Sequence, residues 1–114
     1  MKRFAPALLV SLMVATPAHA EMSVDMFLQR FMAVQAGKDP QGSKILRGEM
    51  DRAARTFQQR VQSGAIRDVC VQNGGTLEPQ QIVNYFRSLP PQQRAMTNVT
   101  NGFYGAMKKR FPCW

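Results

Sequence analysis

The chain has 114 residues, 45% of them hydrophobic, a size that allows one small domain and excludes a multidomain enzyme. Its 15 Lys and Arg against 7 Asp and Glu give a net charge of +8, with two cysteines and one histidine. That histidine, His19, lies in an N-terminal leader, so the domain behind it has none. This excludes His-assisted Ser or Cys nucleophiles and His-containing metal sites.

The leader comprises residues 1–20. Lys2 and Arg3 form a basic start, Leu8, Leu9, Val10, Leu12, Met13 and Val14 an apolar core, and Pro17-Ala18-His19-Ala20 a small-x-small cleavage pattern. An N-terminal anchor helix is the competing reading, but the apolar run is short for a hydrocarbon layer of about 30 Å. The expectation is a signal peptide, cleavage before Glu21, a single helical domain over residues 21–114, and a periplasmic location without stable membrane insertion. Losing Lys2 and Arg3 lowers the net charge of +8 by two. In a cytosolic protein the remaining charge would suggest nucleic acid. Export turns it toward acidic proteins, anionic envelope surfaces or solubility, and no nucleic-acid partner is expected.

Ser23 is predicted to cap a first helix in which Val24, Phe27, Leu28, Phe31 and Met32 recur at helical spacing. Gly37 stops it, and Lys38-Asp39-Pro40-Gln41-Gly42 reads as a turn. Ser43 is the predicted cap of a longer second helix. Leu46, Met50, Ala53, Phe57 and Val61 form its apolar stripe, with Arg47, Arg52, Arg55 and Arg60 opposite. Gly48 inside it suggests close helix packing, and Ser63-Gly64 ends it. Residues 65–71 fit a helical turn or an extended segment equally. Gln72-Asn73-Gly74-Gly75-Thr76 is a loop.

A third helix is predicted from near Glu78, with Pro79 in its first turn, where a missing N–H does no harm. Ile82, Val83, Phe86 and Leu89 are its buried face, and Pro90-Pro91 ends it. Residues 92–96 suggest a short helical turn. Thr97 is the predicted cap of a last helix carrying Val99, Phe103, Ala106 and Met107, which Pro112 terminates. Lys108-Lys109-Arg110 occupy its last turn, where cations suit the helix dipole. The expected fold is therefore all-α, a small bundle of about four helices. Cys70 and Cys113, the only cysteines, are expected to form one disulfide in an oxidising compartment. Closing a loop of that length stabilises by about 4 kcal/mol in the chain-entropy model.

Candidate chemistry is sparse. Seven carboxylates are scattered, no glycine loop cradles phosphate, and neither cofactor nor metal is expected. A catalytic carboxylate pair would need two distant segments to converge. Asn98-Val99-Thr100 matches a glycosylation sequon but falls at a helix start, where it reads as capping chemistry. Met26, Met32, Met50 and Met107 are expected in the core, as is Phe103. Trp114 packs over the disulfide or forms an exposed contact.

Several stretches together carry a resemblance: Val69-Cys70-Val71-Gln72-Asn73-Gly74, then Ile82-Val83-Asn84-Tyr85-Phe86-Arg87-Ser88-Leu89-Pro90, Phe103-Tyr104-Gly105-Ala106-Met107, and Arg110-Phe111-Pro112-Cys113. This pattern resembles the Rap/Tai group of type VI secretion immunity proteins. The resemblance implies a small, exported, helical, disulfide-bonded protein that binds and neutralises a peptidoglycan-cleaving amidase toxin, without enzymatic activity of its own. It covers the C-terminal half. Residues 23–64 read as two plain helices, without the further cysteines that family members often carry there. The matching residues Cys70, Pro90, Phe111, Pro112 and Cys113 are structural, and no toxin-contacting residue carries over. The contact surface expected from the residues themselves is the rigidly held loop Gln72, Asn73, Gly74, Gly75 and Thr76, with Leu77 beside it. A two-fold homodimer is also expected, because so small a bundle leaves an apolar stripe over. The competing readings are an HdeA-like acid-stress chaperone and an envelope structural or secretion-accessory protein.

Overall fold

The computed structural model describes residues 21–72 and 74–113. The expected signal peptide, Asn73 and Trp114 lie outside the described residues. The chain is all-α, with five helices among the described residues: α1 (Val24–Gln35), α2 (Gly42–Gln62), α3 (Pro79–Ser88), α4 (Pro91–Met96) and α5 (Val99–Arg110). The helix beyond the expected four is the six-residue α4, which Pro91 starts at its first position and which buries none of its side chains.

Local sequence sets most helix ends. The Ser23 hydroxyl accepts from Met26 N at 3.1 Å and starts α1. Gly37, at φ 74°, supplies the left-handed turn after it. Glu78 and Gln81 form a reciprocal capping box at α3, with Pro79 at the first helical position. Two expected caps are displaced. α2 begins at Gly42, one residue before Ser43, with Gln41 at the cap and no side-chain cap bond. A Cβ on Gly42 would lie 2.6 Å from an Asp39 carboxylate oxygen and overlap Val34, so this glycine lets the α1–α2 turn close. α5 is capped by Asn98, whose side chain accepts from Asn101 N at 2.8 Å. Thr97 instead ends α4 and donates to Gln93 O at 2.7 Å. The sequon is thus a helix cap.

The core brings together Val24, Phe27 and Leu28 of α1, Leu46, Ala53 and Phe57 of α2, Ile82, Val83 and Phe86 of α3, and Val99, Phe103, Ala106 and Met107 of α5. Phe27 meets Phe86 edge-on at 5.5 Å, and Phe57 meets Phe103 at 5.6 Å. α5 packs most extensively on α2 and also contacts α1 and α3. Gly102 makes this possible: a Cβ there would lie 2.7 Å from Val24 and 2.8 Å from Phe86. Gly48, the expected packing glycine, is exposed with nothing within 4 Å of a Cβ position. It lies on the solvent side of α2, so close packing there is not its role.

Two methionines also depart from expectation. Met26 is 58% and Met32 60% exposed. The buried face of α1 runs through Val24, Phe27 and Leu28, with Phe31 and Val34 half-buried, and at 3.6 residues per turn both methionines fall outside it. Met50 is half-buried and Met107 buried, as expected. Val61, the last residue of the α2 stripe, is exposed because the chain turns away at Gly64.

The described residues form no strand, only two isolated antiparallel bridges, and both flank α5. Before α5, Ser23 pairs with Asn98: Val24 N donates to Thr97 O and Val99 N to Met22 O. After α5, Val69 pairs with Pro112: Cys70 N donates to Phe111 O at 2.7 Å. Residues 65–71 are therefore not helical, and their end is extended.

Candidate functional site

Cys70 and Cys113 are disulfide-bonded, with Cα atoms 5.0 Å apart. The bond joins the chain entering the loop 72–77 to the chain leaving α5. Three further contacts hold the same corner. The Tyr104 hydroxyl lies 2.6 and 2.7 Å from the two Asp68 carboxylate oxygens, Lys108 Nζ is 3.1 Å from the same carboxylate, and Cys113 N donates to Asp68 O at 3.4 Å. The Tyr104 hydrogen bond, then that of Lys108, hold the Asp68 carboxyl below its ordinary value. The same bond to Asp68 raises the Tyr104 phenol and the Lys108 ammonium.

The expected contact loop follows directly. Gln72, Gly74 and Thr76 are exposed, and Asn73 lies outside the described residues. Gly74, at φ 71°, makes the turn, and Gly75 N donates to Gln72 O at 2.7 Å. Gly75 is held against the Phe111 ring, since a Cβ there would lie 2.8 Å from Phe111 Cε1. Leu77 is half-buried against the core. The loop is thus tethered at its start by the disulfide, in its middle by Phe111 and at its end by the α3 capping box. Its outward side chains are Gln72 and Thr76, while Gly75 and Leu77 serve as anchors.

Two clefts lie beside this corner on different faces of α5. An apolar groove of about 520 Å³ runs between α2 and residues 69–71, lined by Phe57, Val61, Val69, Val71, Phe103 and Met107. A cleft of about 370 Å³ lies between α3 and α5, with Leu77 at one edge and Tyr85, Lys109 and Arg110 on its walls. Sequence reasoning placed these residues on separate helices and did not join them. The signal that could have joined them is Gly105, over which Tyr85 lies: a Cβ there would be 3.0 Å from Tyr85 Cζ and closer still to its hydroxyl.

Among the described residues no cluster of His, Cys, Asp or Glu could hold a metal ion, and no helix is long and apolar enough to cross a membrane. No family model matches the chain, and neither a curated protein nor a solved structure does.

Proposed function

We propose that this chain is an exported, non-enzymatic binding protein of the periplasm that neutralises a peptidoglycan-cleaving amidase by direct binding through the face around residues 72–77. The observation that carries the reading is the loop's three-point restraint: the Cys70–Cys113 bond, Gly75 against Phe111, and the Glu78–Gln81 capping box. An inhibitor that presents an already ordered loop loses little conformational entropy on binding. The C-terminal resemblance to immunity proteins and the leader at residues 1–20 support the same reading. Such a leader would deliver the chain to a compartment where the disulfide persists. A two-fold dimer belongs to the proposal. The apolar groove, with Val61 38% and Val71 45% exposed at its rim, supports it.

The test is to mix the oxidised protein with an amidase encoded beside its gene. The expected result is a stoichiometric complex on gel filtration and loss of peptidoglycan cleavage. No complex with any such hydrolase would sink the reading.

One observation favours the acid-stress chaperone as a second reading. Asp68 ties residues 65–71 to α5, and Val69 and Val71 of the adjoining stretch wall the apolar groove. Protonating Asp68 would loosen that wall and uncover Phe57, Phe103 and Met107. Protection of client proteins from aggregation at about pH 2–3, where carboxylates are protonated, separates this reading from the first.

A further inference from the structure

The cleft between α3 and α5 presents polar chemistry of one kind. Its α3 wall consists of Gln81, Asn84, Tyr85 and Ser88, and its α5 wall of Ala106, Lys109 and Arg110. The amide oxygens on the α3 wall are already engaged. Gln81 Oε1 accepts from Glu78 N at 2.8 Å, and Asn84 Oδ1 accepts from Gln80 Nε2 at 3.0 Å. Each amide is left with N–H groups to offer.

On the α5 wall, Lys109 Nζ stands 6.0 Å from the centre of the Tyr85 ring, and the Arg110 guanidinium stands 4.7 Å from that of Phe111. The Tyr85 ring keeps Lys109 at the cleft, while Arg110, stacked on Phe111, stands between this cleft and the neighbouring hollow beside Phe111. The ion pairs among the described residues engage Arg30, Arg52 and Lys108, not these two. No acidic residue lines the cleft. Leu77, the Tyr85 ring and Ala106 supply apolar surface within it.

Amide donors whose own oxygens are engaged, together with two cations in no ion pair among the described residues and no carboxylate on the walls, fit a ligand that is anionic and rich in acceptors. We infer that the cleft receives a Glu- or Asp-bearing polypeptide segment of the partner protein. Lys109 and Arg110 meet its carboxylates, the Gln81 and Asn84 amides donate to its backbone carbonyls, and the apolar surface packs against its side-chain methylenes. A bare phosphate or a lipid headgroup would use the two cations but leave the amides and the apolar surface idle. The amidase reading supplies the partner on which this inference rests, and Leu77 makes the cleft continuous with the loop 72–77.

The test uses the full oxidised domain, isotope-labelled for NMR, and an acetylated peptide of alternating glutamate and alanine as probe. Tyr85, Ala106 and Lys109 are expected to show the largest shift changes. The double variant K109Q/R110Q should weaken binding about tenfold, with the effect shrinking as salt rises. R47Q/R55Q, two exposed positions on α2, removes the same charge and should leave affinity within about twofold. Both variants must keep the parent melting temperature.

Equal weakening by the two variants overturns the inference. So does filling of the cleft by inorganic phosphate, or by phosphatidylglycerol vesicles, at concentrations where the peptide leaves it empty. An amidase complex that K109Q/R110Q does not weaken removes this inference and leaves the inhibitor reading intact. An acidic peptide seated in the cleft of a protein that inhibits no hydrolase does the reverse.

Discussion

At its first turn α5 is held by hydrogen bonds from a segment 79 residues away, whereas at its last turn it is held by a covalent bond and a half-exposed polar cluster. At the start, Glu21 accepts from Thr100 N and from the Thr100 hydroxyl, Asn98 caps the helix, and Met22 and Val24 exchange backbone hydrogen bonds with Val99 and Thr97. Thr100 is buried, so its two bonds to Glu21 are partly shielded from water, and the set satisfies helix-start N–H groups that would otherwise be orphaned. At the end, the disulfide acts mainly by restricting the unfolded chain. Asp68, Tyr104 and Lys108 add contacts that water screens. One tie depends on folded-state contacts and the other on connectivity. The candidate contact loop begins at the second, where Cys70 is bonded to Cys113.

Removing the covalent tie should produce the largest change. C70S/C113S is expected to lose about 4 kcal/mol, read as a fall in the denaturation midpoint. A loss no greater than that from removing a single cap would erase the distinction between the two ends. Between the ends, Gly102→Ala should cost about 1–3 kcal/mol, because its Cβ would overlap Val24 and Phe86. At the start, Asn98→Ala should cost about 1 kcal/mol through loss of the helix cap, without altering loop 72–77 in hydrogen exchange.

The smallest effect should come from Asp68→Asn, and its signature lies in pH. The folded-state carboxyl of Asp68 titrates below its ordinary value of 3.8, so its stabilisation is present above that pH and is lost as pH falls through the lowered value. Tyr104 and Lys108 are raised from 10.0 and 10.5, so their share is present below those values and is lost on the alkaline side. The difference in melting temperature between parent and D68N should therefore be flat through neutral pH and close at both extremes. A difference that persisted below about pH 2 would show that Asp68 acts by packing and not by charge.

Much of the fold was legible because its signals are local. Ser23, Gly37 and the Glu78-Pro79 start of α3 act on residues within one turn, so spacing along the chain reveals them. The α2 stripe was legible through Phe57 but not at Val61, whose burial depends on whether another element covers it. The methionines of α1 failed for a related reason. Hydrophobicity marks Met26 and Met32 as core candidates, but the choice of face belongs to Phe27, Leu28 and their partner Phe86. The loop 72–77 was visible from its glycines. The cleft beside it was not, because Tyr85 and Lys109 are joined only where α3 lies on α5.

Sequence alone determined the all-α class, the pairing of the only two cysteines, most helix boundaries and the position of the loop between them. All of these follow from near-neighbour periodicity, backbone preference and composition. Tertiary structure decided which glycines are packing glycines, that Glu21 reaches Thr100 and Asp68 reaches Tyr104, and that the donors of α3 face the cations of α5. Those contacts depend on which helix faces meet, and that is set by the summed burial of Val24, Phe86, Phe103 and their neighbours, not by any one segment's pattern.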